Sequence, residues 1–194
     1  MRRSTRILRR SALLVLCTLL AAPAQTPKAK RTPDVPFVPT TERAVEAMLE
    51  LAKVTKNDVV YDLGCGDGRI VITAAKKYGA RGVGIDINPE RIAEARANAK
   101  KEGVEHLVKF IEQDLFEADI RDASVVTLFL LSSVNLKLRP KLLAELKPGT
   151  RVVSNTFDMG DWKPDKEFSL DDNGEDSYLS HKFFLWTIPQ KPAR

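Results

Sequence analysis

The sequence predicts a doubly wound α/β fold, a seven-stranded sheet that is parallel through its first five strands and ends in an antiparallel C-terminal hairpin. Three observations carry this expectation. Short runs rich in β-branched residues alternate with segments of helical periodicity between residues 41 and 156. A glycine-rich turn joins the first such run to its helix. The last two runs have no helical pattern between them, so they pair as a hairpin at the sheet edge.

The first helix is expected from about Thr41 to Val54, capped by Thr40 or Thr41, because Val45, Met48, Leu49 and Ala52 share one face. Val59-Val60-Tyr61-Asp62-Leu63 is an apolar strand running into Gly64-Cys65-Gly66-Asp67-Gly68. Ile70 to Tyr78 reads as a helix stopped by Gly79. Gly82 to Asp86 is the second strand, and Pro89 suits the first turn of a helix running to about Lys101 and ending at Gly103. Val108 to Gln113 and Val125 to Leu131 are the third and fourth strands. Leu136 to Leu146 is helical, interrupted or kinked near Pro140. After the Pro148-Gly149 turn, Arg151 to Thr156 is the fifth strand. The chain is polar and turn-rich from Asp161 to Asp176, with a short strand at Glu167 to Leu170, and His181 to Ile188 is the last strand.

The 194 residues suffice for one α/β domain with a sizeable core. A hydrophobic share of 43% and a charged share of 29% are those of a globular chain. The formal charge of +5 is local, since Arg2, Arg3, Arg6, Arg9 and Arg10 account for all of it and the rest of the chain is formally neutral. No overall electrostatic footprint for nucleic acid remains. An Arg-rich start, an apolar run from Ala12 to Ala22 and the small-x-small triplet Ala22-Pro23-Ala24 read as an export signal in residues 1–24, cut after Ala24. An uncleaved N-terminal membrane anchor is the alternative, and a cytoplasmic protein results if the leader does not function. A Pro-rich linker follows over residues 25–39, and the folded domain is expected over 40–190. With Cys17 and Cys65 as the cysteines and His106 and His181 as the histidines, no cluster has zinc spacing.

The glycine turn stands at the carboxyl end of a strand, where open α/β sheets bind ligands. Alone it is an ordinary tight turn. Asp86 ends the next strand, where an acid accepts from ribose hydroxyls, and Asp114 ends the third, where an acid can meet the exocyclic amine of an adenine. Each aspartate by itself is also an ordinary strand-end cap. A dinucleotide loop has the pattern G-x-G-x-x-G and faces a diphosphate. Here the third glycine comes one residue early, Arg69 takes its place, and Asp62 adds negative charge. That suits a ligand carrying an ammonium and a sulfonium, namely S-adenosylmethionine.

Val60 to Arg69 resembles motif I of the class I, seven-strand methyltransferases, which have a Rossmann-like sheet with an antiparallel C-terminal hairpin. The resemblance implies a cofactor site built from Thr40, Asp62, Gly64, Cys65, Gly66, Asp86, Ile87, Asp114 and Leu115. Phe37-Val38-Pro39-Thr40, the Gly-Asp-Gly-Arg form of motif I, Val125 to Leu130, Pro148 to Ser154 and the tract Phe157 to Pro164 are similar to a family of small protein-lysine methyltransferases whose eukaryotic members modify the ATP synthase c-subunit and the adenine nucleotide translocase. The resemblance implies a protein as methyl acceptor, and a Pro-Thr segment, here Pro39 and Thr40, that helps close the cofactor site.

Leu130-Leu131-Ser132-Ser133 replaces the Asn/Asp-Pro-Pro-aromatic tetrad of many amine and base methyltransferases, which disfavours nucleobase amines and glutamine as acceptors. Asn135 is read either as orienting the acceptor or as capping the following helix, and Trp162 either as lining an acceptor channel or as packing. Cys65 reads as a small packing residue. A small-molecule methyltransferase and a non-catalytic S-adenosylmethionine-binding protein are the competing functions.

Overall fold

Residues 32, 33, 35–170 and 181–190 are described by the computed structural model. The leader, residues 25–31 and 34 of the expected linker, and the end of the polar tract at 171–176 lie outside the described residues. Helix α1 spans Glu42–Leu51, where Thr41 caps it by accepting from the Ala44 N–H at 3.2 Å. It stops before Val54 because Lys53 turns to φ 51°, and the Val54 N–H returns to the Leu49 carbonyl. Strand β1 (Val59–Leu63) leads into α2 (Arg69–Tyr78), which Gly79 closes in the left-handed conformation. Strand β2 (Arg81–Asp86) leads into α3 (Pro89–Lys101), capped by the Asn88 side chain accepting from Glu90. Then come β3 (Val108–Glu112), β4 (Val125–Leu128), α4 (Ser132–Glu145), β5 (Arg151–Asn155), β6 (Lys166–Leu170) and β7 (His181–Thr187).

The seven strands lie in the order β3-β2-β1-β4-β5-β7-β6. Strands β1 to β5 are parallel, and β7 is antiparallel to both β5 and β6. The doubly wound sheet and its edge hairpin are therefore as the patterning requires.

Besides the end of α1, two boundaries differ from the sequence reading by three residues or more. Strand β4 pairs through Leu128 and not to Leu131, and α4 starts at Ser132 and not Leu136. The chain from Phe129 to Leu131 has left the sheet, and Phe129 and Leu130 line a cleft where a longer strand would have faced the core. Pro140 does not interrupt α4, because it sits on the exposed face, where the carbonyl it frees can meet water.

Alternating residues divide the core into two layers. Val60, Val125, Val153, Phe183 and Leu185 pack with α1, α2 and α3 on one side. Val126, Leu128, Val152, Phe184 and Trp186 pack with α4 and the 118–123 connection on the other. Helices α2 and α4, which follow the adjacent strands β1 and β4, thus lie on opposite faces, and their divergence opens a crevice at the carboxyl ends of those strands.

The opposite ends of β1, β4 and β5 are tied together by one buried carboxylate. Asp58 accepts from Ser124 Oγ at 2.7 Å and the Thr55 N–H at 2.8 Å, and pairs with Arg151, whose guanidinium also caps the end of α1 at the Ala52 carbonyl. Burial pulls the Asp58 pKa up, but the hydrogen bonds from Ser124 and Thr55 and the Arg151 charge outweigh it and hold it below the ordinary value. Arg151→Met is expected to cost about 1–3 kcal/mol at neutral pH, discounted for partial exposure. A depressed carboxyl pKa stabilises above the unfolded value, so urea denaturation should show this cost shrinking below roughly pH 4 as Asp58 protonates.

Candidate active site

The crevice is built around the turn from Gly64 to Gly68. The Gly64 and Cys65 N–H groups donate to the Ile85 carbonyl at 2.8 and 3.0 Å, which lays the turn across the end of β2. The Gly66 N–H then donates to Asp86 Oδ2 at 2.9 Å, and the Asn88 N–H to Asp86 Oδ1 at 2.9 Å. One carboxylate so fixes both the glycine turn and the entry to α3. Each of its oxygens keeps a further acceptor direction for a ligand hydroxyl. Gly66 has φ +51°, and a Cβ there would stand 2.2 Å from the Phe37 ring. Gly68, the residue that starts α2, has φ +81°, and its Cβ would stand 2.6 Å from Phe110.

Thr40, Asp62, Gly64, Cys65, Asp86, Ile87, Asp114 and Leu115 all line this one cleft. Gly66 is not on its wall; it lies beneath the Phe37 ring and serves through its backbone. Asn135 is not on the wall either. It stands inside α4, which starts three residues before it, so it does not cap that helix. Trp162 packs away from the cleft against Trp186, centroids 5.7 Å apart, and its carbonyl accepts from the Trp186 indole N–H at 2.8 Å. Cys65 is buried, close to where a Gly84 side chain would be, and burial with the nearby Asp62 and Asp86 pushes its thiol pKa far up, so it stays protonated and unreactive.

The structure adds residues that the sequence reading left out. Thr32, Pro33 and residues 35–38, expected as linker, join Pro39 and Thr40 in a strap along the cleft. The strap is held by Arg69, which donates to the Thr40 carbonyl at 2.6 Å while paired with Asp67 at 2.5 Å. Phe37 is covered by the Arg91 guanidinium at 4.8 Å, a contact between segments 54 residues apart in sequence that no local pattern announces. Phe129 and Leu130, just past β4, complete the wall.

Asp62 is the electrostatic centre of the cleft. It is 2% exposed and accepts from Thr127 Oγ1 at 2.8 Å. Burial raises its pKa, the Thr127 hydrogen bond opposes this, and the Asp86 and Asp67 charges raise it further, to about 7. Arg69 and Arg91, the cations of the cleft, are already engaged by Asp67 and by Glu94. Acids at three successive strand ends with committed arginines fit a cationic nucleoside and not a diphosphate.

This strand order, with its glycine turn and strand-end acids at the point where the order reverses, defines a class I, S-adenosylmethionine-dependent methyltransferase. The family described as the ANTKMT methyltransferase domain matches residues 62–166, and the chain belongs to that family. It is 51% identical to a protein-lysine N-methyltransferase of Saccharolobus islandicus over 157 residues, covering 80% of this chain and 95% of that one. It is 38% identical to the human ATP synthase c-subunit lysine N-methyltransferase, covering 78% of this chain and 64% of that one, so it spans less than two thirds of the human relative. The crystal structure of an RNA methyltransferase from Salinibacter ruber with S-adenosyl-L-homocysteine is 54% identical and superposes with a TM-score of 0.75, covering 81% of this chain and 97% of that one.

Two outcomes follow for this site. Gly66→Ala forces a left-handed alanine into the Phe37 ring, so S-adenosylhomocysteine affinity by calorimetry should fall at least about tenfold while the domain still folds. Asp62 holds a proton in the ligand-free fold that the unfolded chain has already lost. Its stabilising contribution is therefore full below about pH 4 and is lost as pH rises through about 7. Asp62→Asn should remove this slope, and the melting temperature of the variant relative to the parent should climb between those limits.

Proposed function

We propose that the enzyme methylates the side-chain amine of a lysine in a protein. The observation that supports this most directly is the similarity to a protein-lysine N-methyltransferase over nearly that relative's whole length, with the cleft inside the matched region. When bound, S-adenosylmethionine supplies an activated methyl group: the lysine Nζ lone pair forms the N–C bond as the C–S bond breaks, its electron pair returns to sulfur, and the proton that the ammonium must lose goes to water. The chain's own part is to bind, align and desolvate. In this reading the Asp86 carboxylate takes the ribose hydroxyls, Asp114 the adenine edge, and Asp62 the cationic amino-acid end, with Gly64, Cys65, Ile87 and Leu115 shaping the pocket beneath the Thr40 strap and Gly66 holding the turn to Asp86. A lysine amine must be neutral when it reacts, and the buried, apolar Leu130 on the cleft wall favours loss of its proton there by desolvation.

Asp62 ties cofactor binding to pH. An incoming cation favours its ionised form, so binding below pH 7 releases a proton and tightens as pH rises. Calorimetry with S-adenosylhomocysteine between pH 5.5 and 7.5, in buffers of different ionisation enthalpy, should show proton release in the parent and none in Asp62→Asn.

The leader and its apolar run support export or membrane anchoring of the domain, which poses a supply problem for a cytosolic cofactor. Among the described residues no helix is long and apolar enough to cross a membrane. Fractionation with N-terminal sequencing of the mature protein tests this part.

RNA is the competing acceptor, because the Salinibacter relative is an RNA methyltransferase. The formal neutrality of the chain past its leader and the absence of the Asn/Asp-Pro-Pro-aromatic tetrad weigh against it. Tritiated S-adenosylmethionine added to an extract should yield N-methyl-lysine after acid hydrolysis, and Asp86→Ala should abolish the label. Label that survives protease and disappears with ribonuclease would overturn the lysine reading.

A further inference from the structure

The end of β5 carries a feature that cofactor binding does not explain. Thr156 has φ +67°, a left-handed conformation that a β-branched residue resists. The turn is held there by contacts from three directions. The Phe157 N–H donates to the Asn155 carbonyl at 2.8 Å, and the Thr156 N–H to the Lys182 carbonyl on β7 at 2.7 Å. Ser154 Oγ donates to the Phe157 carbonyl at 2.7 Å. Asn135, fully buried on α4, directs its Nδ2 at that carbonyl (3.1 Å), at the Asp158 carbonyl (3.3 Å) and at Ser154 Oγ (3.2 Å).

The clamp has one visible product: it sets Phe157 against Phe129, rings stacked at 6.3 Å with 27° between planes. Phe129 lines the cleft beside Leu130, past the end of β4, and both phenylalanines are half-buried. The clamp also carries a cost. The Asn135 Oδ1 has no hydrogen-bond partner among the described residues, and a buried unsatisfied amide oxygen is costly. An apolar residue would fill the same place without that penalty, but could not hold the turn.

We propose that Phe129 and Phe157 form the acceptor subsite, receiving the side chain of the target lysine along their faces, and that Asn135 is the positioning residue that keeps Phe157 there. This rests on the protein-lysine reading above. The negative faces of two rings attract an ammonium and its methylated products, and their apolar area covers the lysine stem. The subsite lies at the ends of β4 and β5, adjacent to the cofactor cleft at the ends of β1, β2 and β3. An amine held there faces the cleft from the side opposite the Asp86 and Asp114 walls.

Two measurements test it on the full chain. In the first, phenylalanines are replaced by 4-fluorophenylalanine, the Phe129 and Phe157 signals are assigned from the F129L and F157L variants, and n-butylammonium is added with S-adenosylhomocysteine present. Those two fluorine resonances should shift, and n-butanol should leave them in place. Equal responses to both probes, or responses confined to other phenylalanines, overturn the subsite. In the second, initial rates of N-methyl-lysine formation are measured against acceptor concentration in extract. F157L and N135A should raise the apparent acceptor KM about 3- to 10-fold, with S-adenosylhomocysteine affinity within twofold of the parent, and F157Y should restore it. Methyl-lysine formed with unchanged KM in F157L and N135A overturns the subsite and leaves the lysine reading standing. Label recovered only outside lysine overturns the reading and the subsite with it.

Discussion

The Asp86 carboxylate fixes the position of the glycine turn, and most of the site depends on that turn. Its two oxygens take the Gly66 and Asn88 N–H groups, one from the turn after β1 and one from the entry to α3. Both backbones are thereby held at the crevice between α2 and α4. A carboxylate accepting backbone N–H groups has its charge paired by directed donors and not by a mobile cation. Burial is the main reason the Asp62 pKa stands high, and the Asp86 charge adds to it, so the group that fixes the turn also biases the protonation of the site.

Charge is distributed unevenly as a result. The acids Asp62, Asp86 and Asp114 stand on the cleft wall, whereas its arginines are spent on structure: Arg69 ties Asp67 to the strap, and Arg91 covers Phe37. The strap is therefore fastened by the same residues that would otherwise neutralise the site. An anionic ligand would find few free donors there, and a cationic one meets Asp62, whose ionised form it favours.

The strands and the positions of the turn and the acids were legible because they rest on local patterns. Val59 to Leu63 and the Gly64 to Gly68 turn fall where the sequence places them, and so do the acids at the ends of β2 and β3. The strap, by contrast, was read as a linker except at Pro39 and Thr40, which only the family resemblance brought to the site. Prolines at 33, 36 and 39 do specify an extended path, but an extended path looks the same whether it crosses solvent or a cleft. The run Phe129-Leu130-Leu131 hid the end of β4 for a similar reason: apolar residues do not say whether they face a core or a binding pocket. Asn135 was placed near a helix start because Asn favours caps, and the true start three residues earlier has no side-chain cap to mark it.

What the sequence by itself determined is the order of strands and helices, the glycine turn and the spacing of the acids, since each follows from periodicity and from residue types that tolerate few backbone conformations. What only the tertiary structure decided is which of these residues meet. The Phe37–Gly66–Arg91 stack, the Asp58–Arg151 tie and the Asn135 clamp on the Thr156 turn each join segments remote in the chain. Such contacts are fixed by how two apolar layers close on a shared sheet, and that closure is a property of the whole packed chain.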